Sequence, residues 1–183
     1  MNREDALKAI RENVSNENLI KHMLATEALM EALAGRLGED KAEWGLAGLI
    51  HDIDVELTEG DMTRHGHLGA DIIRKMEVDE KIVHAVMAHN ETLGITRETT
   101  LDKALFCADP LTGLITATAL VMPDRKLATV KAKSVSKRFK AKAFAAGANR
   151  ENMATCSELG LELDEFIEIG LKAMQGVAEE LGL

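Results

Sequence analysis

Apolar residues fall at helical spacing along nearly the whole chain, and only two prolines interrupt them. Leu19, Ile20, Met23, Leu24, Ala28, Met30, Leu33 and Leu37 recur at the spacing that puts one apolar face on a helix, which Gly38 is placed to end. A short amphipathic helix over 3–13 precedes it, and Ser15-Asn16-Glu17-Asn18 has the character of a cap. Residues 41–51 are almost wholly apolar, so they read as a buried helix. Beyond a polar loop over 54–66, helices are expected at 69–76, at 80–90 behind Asp79, at 101–109 behind Thr100, and at 111–121. Pro123-Asp124 marks a turn, 125–146 reads as a basic helix, and 150–158 and 163–181 as two final helices. With no tyrosine, 3% aromatics and nine methionines, the composition favours an all-α fold over a β-sandwich. Neither a repeat nor a linker divides the chain, so a first unit over 1–122 and a helical extension over 123–183 are expected to pack as one structural domain.

Charge and cysteine usage exclude several functions. The opening MNREDALKAIREN is charged where a signal peptide needs an apolar run, and LTGLITATALVM is too short and threonine-rich to span a membrane. Cys107 and Cys156 form no CxxC pair and fit a reducing cytoplasm. A net charge of −9 argues against nucleic acid as a partner, although Arg125–Lys142 holds eight basic residues and no acid. These bases scatter round a helix, as on a solvated face; folded back over a cleft, they would receive phosphates.

All six histidines lie between His22 and His89. His51-Asp52 ends the apolar run LAGLI, where an ionised Asp needs either solvent or a compensating cation. His22 interrupts the apolar face of KHMLAT, and Asp109 ends LFCADP, where Pro110 is expected to terminate the helix and project Asp109 into a cleft. Two imidazoles and two carboxylates on three apolar segments suit a divalent cation such as Mn, Fe, Co, Ni or Zn. His84 lies five residues before His89, about 140° away round a helix, so the two do not serve one ion.

The ordered set GLIHDID, HGHLGA, AHNE and ADPLTG resembles the HD superfamily of metal-dependent phosphohydrolases, among them the HDIG and HD-GYP groups. The resemblance covers about residues 19–115 and implies an HD-type helical bundle with a C-terminal helical extension. It places His22, His51, Asp52 and Asp109 round a first metal, with Asp52 bridging to a second completed by His65 and His89. His65 and His67 compete for one position, and the family's spacing to Gly69-Ala70 favours His65. His89-Asn90 replaces the paired histidines of cyclic-dinucleotide phosphodiesterases, and the GYP signature is missing, which argues against a third metal.

The implied activity is hydrolysis of a nucleotide or other small phosphate ester by metal-activated water, with His51 and Asp52 at the reacting centre. Two alternatives share the ligand set: a mixed-valence di-iron oxygenase and a non-catalytic nucleotide-binding module. Asp54 and Glu56 read either as proton-transfer groups or as solvated loop charges; Glu91 reads as an imidazole-orienting group or a solvated one. Arg64 and Lys21 are phosphate-holding candidates or surface charges. Leu163, Phe166, Ile167, Leu171 and Met174 form an apolar stripe suited to the core or to a homodimer contact.

Overall fold

The computed structural model describes all 183 residues, as ten α-helices and no strand. Helix α1 (Arg3–Asn13) starts on Asn2, whose side chain accepts from the Asp5 N–H. Helix α2 (Glu17–Leu37) is capped by Asn16 and closes on Gly38, which takes the left-handed conformation at φ 79°. Asp40 caps α3 (Lys41–Ile50) by accepting from the Ala42 and Glu43 N–H groups, so the chain reverses within three residues and α3 packs along α2. No side chain separates the two backbones at Gly48: a Cβ there would lie 2.7 Å from the Thr26 carbonyl oxygen. The C-terminal end of α3 is thereby fixed against the middle of α2.

Helices α4 (His67–Arg74) and α5 (Glu80–Ala88) form the next layer, and α6 (Thr100–Leu120) is the central strut. A capping box starts α6: Thr99 accepts from the Asp102 N–H, and the Asp102 carboxylate accepts from the Thr99 and Glu98 N–H groups. Contrary to expectation, Pro110 does not end this helix; the segments 101–109 and 111–121 are one helix, and Asp109 lies inside it. An interior proline costs about 3 kcal/mol. Burial on both sides of it outweighs that cost, since Leu105, Ala108, Leu111, Leu114 and Ile115 are all fully buried.

The basic segment is also less helical than its composition suggests. Only α7 (Ala132–Lys140) forms over 125–146, behind a short 3₁₀ turn at Leu127–Thr129. Residues 141–148 are turns, with Ala145 at φ 46°. Arg150 explains the early stop. Its guanidinium donates to the carbonyls of Arg138, Phe139, Ala141, Phe144, Ala145 and Ala148, so the orphan acceptors at the end of α7 are satisfied from outside the helix.

Helix α8 (Arg150–Ala154) then lies on α6, and α9 (Leu163–Gly176) lies on both α2 and α6, followed by α10 (Ala178–Leu181). The apolar stripe of α9 is spent inside the chain: Phe166, Ile167, Leu171 and Met174 are buried, and Gly170 packs on Leu111 and Ile115. One hydrophobic cluster accordingly runs from Ala6 to Leu181. No helix is long and apolar enough to cross a membrane.

The close approach at Gly48 has a direct consequence. Gly48→Ala is expected to cost about 1–3 kcal/mol, because the clash is with backbone. A chain of this size should then lose about 2–4 °C of melting temperature per kcal/mol. An unchanged thermal melt by circular dichroism would show that α2 and α3 can separate there without cost.

Candidate metal centre

His51 and His89 arise from the same local device. Each is the first residue beyond a helix, α3 and α5 respectively, and each turns its Nδ1–H back onto the carbonyl three residues earlier. The distances are 2.8 Å to Gly48 O and 2.5 Å to Val86 O. These carbonyls belong to the last turns of their helices, where acceptors lack helical partners. His22, in the middle of α2, meets Thr112 Oγ1 at 3.0 Å. That hydroxyl donates its proton to Asp109 O, so His22 Nδ1 must be the donor to it. His65 directs Nδ1 at Asp54 Oδ1, 2.8 Å away. These partners assign all four neutral rings alike: Nδ1 carries the hydrogen, and Nε2 is the lone pair that is free for a cation or, at His22, for a second proton.

The four Nε2 atoms converge on Asp52 and Asp109. His22 Nε2 lies 3.0 Å from Asp109 Oδ1 and 3.6 Å from Asp52 Oδ2; His51 Nε2 lies 3.4 Å from Asp52 Oδ2 and 3.8 Å from Asp109 Oδ1. On the other oxygen of Asp52, Oδ1, stand His65 Nε2 at 3.3 Å and His89 Nε2 at 3.5 Å, with 3.1 Å between the two nitrogens. Asp52 therefore belongs to two clusters at once. His51 is wholly buried, His65 and His89 nearly so, and His51 Nε2 has no hydrogen-bond partner.

The charges follow from this crowding. Burial opposes an imidazolium at His22, but the hydrogen bond to Asp109 and the charges of Asp109 and Asp52 raise its pKa to about 9. Burial dominates at His51 and lowers it to about 4. Burial would raise both Asp52 and Asp109, yet the neighbouring imidazoles hold both below the usual carboxylate range. A largely buried set of acceptor atoms and ionised carboxylates calls for a cation, and the residues fit one. Nitrogen and oxygen donors are mixed, the imidazoles are locked from behind, and a lone pair is left without a partner.

Two sequence readings need correction here, and the solvated face read for the basic segment stands. Asp54 is no solvated loop charge: it is wholly buried and accepts from His65 Nδ1, Gly66 N at 2.8 Å and Gly69 N at 2.7 Å. These bonds hold its pKa down against burial. Glu56 lies outside the centre and instead accepts from the Ser15 and Asn16 N–H groups, tying the α1–α2 connection to the 54–66 segment. The lysines of α7 do not cover the centre; Lys133, Lys137 and Lys140 line a separate groove bounded by Asp164 and Glu168. His67 is exposed, and His84 lies 3.1 Å from Asp102, outside the cluster. Arg64 is exposed, Lys21 and His22 line a second groove together with Gly113 and Thr116 of α6, and Glu91 is at the rim of the cleft.

The cleft over the two clusters measures about 340 Å³. Sequence reasoning missed much of its wall. Asn90 donates to the Met62 and His65 carbonyls at 2.7 and 2.8 Å, fixing the His65 backbone, while Gly147, Asn149 and Asn152 come from the extension. Asn90 stood next to a candidate ligand and was open to notice. Nothing in the local sequence ties residues 147–152 to His65.

The HD domain family model matches residues 19–114, which include all six clustered residues. Ribonuclease Y of Lawsonia intracellularis is 33% identical over 97 residues, covering 53% of this chain and 18% of that protein. Ribonuclease Y of Nitratidesulfovibrio vulgaris is 36% identical over 76 residues, or 42% of this chain and 15% of the relative. That of Geobacter sulfurreducens is 34% identical over 76 residues, again 42% and 15%. The chain thus spans less than a fifth of the length of these relatives. No solved structure matches it.

The raised His22 pKa sets a stability window in chelator-treated protein. A histidine whose folded pKa is raised contributes stability below its unfolded value of about 6.5, and loses it as pH rises through the folded value. Melting temperature should therefore fall between pH ~6.5 and ~9, by an amount worth roughly 2 kcal/mol after allowance for partial solvent screening. His22→Asn should make that slope shallower, leaving the part due to His89, which Asp52 also raises; an equally steep slope in the variant would remove His22 as a contributor.

Proposed function

This chain belongs to the HD domain family, and on that premise we propose that it is a metal-dependent phosphohydrolase acting on a nucleotide or another small phosphate ester. The observation that carries this reading is the set of four Nε2 lone pairs turned onto two carboxylates, each imposed by a partner on the opposite ring nitrogen. His22, His51, Asp52 and Asp109 would hold one divalent ion, and Asp52, His65 and His89 a second. Borderline ions such as Mn, Fe, Co, Ni or Zn suit this donor set. Bound there, they would supply Lewis acidity toward phosphoryl oxygens and a water acidified toward neutral pH.

The protein's own residues orient and bury this centre. Asp52 fixes the relation between the two halves, because one carboxylate serves both. Asp54 keeps the His65 ring in one orientation, as Thr112 does for His22. Ile50, Ile53 and Ala108, chain neighbours of His51, Asp52 and Asp109, are wholly buried, and such apolar surroundings strengthen the charge interactions of the centre. No side-chain nucleophile competes: burial pushes the Cys107 thiol far up, and that of Cys156 up as well.

The matched relatives bear the name ribonuclease, so an RNA oligonucleotide belongs in the substrate screen beside nucleotides, cyclic nucleotides and simple phosphomonoesters. Hydrolysis under anaerobic conditions with Mn or Ni is the expected result. A product formed only with iron and oxygen would defeat the hydrolase reading.

Metal content separates the centre from the reaction. Elemental analysis should find up to two divalent ions per chain, none retained by Asp52→Ala, and about one lost in His89→Ala. Equal metal in wild type and Asp52→Ala would refute the assignment. Asp54→Asn should weaken the His65 half about 10–100-fold in affinity while sparing the His22 half.

A further inference from the structure

The cleft is formed by two parts of the chain with different chemistry. Its floor is Asp52, His65, His89 and Asp109; its outer wall is Gly147, Asn149 and Asn152, beyond the residues matched by the family model. That wall is built rather than incidental. Arg150 gathers six carbonyls from residues 138–148, with 2.6 Å contacts to Ala145 O and Ala148 O, and so folds the turn that carries its two asparagine neighbours to the rim. Asn149 is occupied there: its Oδ1 accepts from the Glu151 and Asn152 N–H groups, and its Nδ2 reaches Glu91 Oε2 across the rim at 3.5 Å. Asn152 is different. Asn152 lines the cleft, and its carboxamide makes no hydrogen bond within the protein. Thr92, exposed beside Glu91 and also lining the cleft, offers a hydroxyl.

Charge then restricts what the cleft can take. Neither lysine nor arginine lines it, and Glu91, Asp52 and Asp109 are acidic. With two divalent ions held as proposed above, on which this inference rests, Asp52 and Asp109 would leave a surplus of two positive charges at the ions, which Glu91 at the rim reduces to one. One phosphomonoester group, carrying roughly −1.5 to −2, neutralises that surplus. Further phosphates would meet no cation, whereas binding of a polynucleotide depends on many. The remaining lining donates and accepts hydrogen bonds without charge, and about 340 Å³ lies in the range of small-molecule sites.

We propose that the extension is the specificity wall of this centre. Asn152, positioned by Arg150, recognises the neutral, hydroxyl-bearing half of a small phosphomonoester, and polyphosphates and RNA are excluded for want of cations in the cleft. A nucleoside and a sugar share that chemistry, and the assay separates them.

The test uses the full chain loaded with Mn, against a nucleoside 5′-monophosphate, a sugar phosphate, p-nitrophenyl phosphate, a nucleoside triphosphate and a short RNA. For Asn152→Ala, the ratio of kcat/KM on the preferred monophosphate to kcat/KM on p-nitrophenyl phosphate should fall about three- to tenfold, the worth of one neutral hydrogen bond. Asn152→Ser, which keeps a donor, should recover part of the ratio, and unchanged melting temperatures show both variants folded. Calorimetric binding of the same monophosphates supplies a readout free of turnover. Binding weakened by Asn152→Ala in a protein that hydrolyses nothing would sink the hydrolase reading and leave this inference standing. It is overturned by an unchanged ratio and unchanged binding, or by a wild-type preference for the triphosphate or RNA.

Discussion

Four imidazole lone pairs facing two ionised carboxylates, in a pocket largely closed to solvent, are the constraint that orders the rest of this molecule. Nitrogens 3.1 Å apart, as at His65 and His89, repel unless a proton or a metal ion lies with them. The fold does not relax this crowding. It enforces it from behind, by giving every Nδ1 an acceptor that would lose its own partner if the ring turned away. Rotating His51 would strip Gly48 O, and rotating His65 would leave a wholly buried Asp54 oxygen without its hydrogen. The centre is thus preorganised at the cost of electrostatic strain, which a cation relieves. In its absence a proton on His22, whose pKa lies at about 9, relieves part of it.

The position of Asp109 shows how packing overrides a local rule. A proline at 110 predicts a helix end, and a carboxylate at an end is free to swing. Within an uninterrupted α6 it is not: Asp109 and Thr112 lie one turn apart on one face, so the carboxylate meets His22 Nε2 while the hydroxyl holds His22 Nδ1. Both nitrogens of one imidazole are addressed from a single turn of the facing helix. A helix broken at Pro110 would uncouple them.

The all-helical architecture was legible because its signals are periodic and local: apolar spacing in α2 and α9, caps at Asn16 and Asp79, and the left-handed stop at Gly38. His22, His51, Asp52 and Asp109 stood out as polar interruptions of apolar runs, and burial gives that pattern its meaning. Asp54 did not stand out, because it sits in a segment whose average composition is that of exposed loop. Only the two glycine N–H groups and the His65 ring, 11 to 15 residues away, make it an interior residue. The basic stretch misled in the opposite sense. Residues 125–146 have helical composition, but Arg150, outside that stretch, competes for their carbonyls and ends α7 early.

The same arginine joins the two halves of the structure. A guanidinium surrounded by carbonyls and by no carboxylate fixes the path of a chain segment without adding a charge pair, because its five donors saturate acceptors that would otherwise need water. The path fixed is that of the turn at residues 141–148, and its outcome is the placement of Gly147, Asn149 and Asn152 over His65 and His89. The helices matched by the family model supply the floor of the cleft. The residues after them supply its outer wall, anchored to the common core through α8 on α6 and α9 on α2. Change confined to the turn would reshape that wall while Gly48, Thr112 and Asp54 continued to hold the imidazoles in place. On the reading proposed above, chemistry and selectivity are therefore carried by separate hydrogen-bond systems in one small fold.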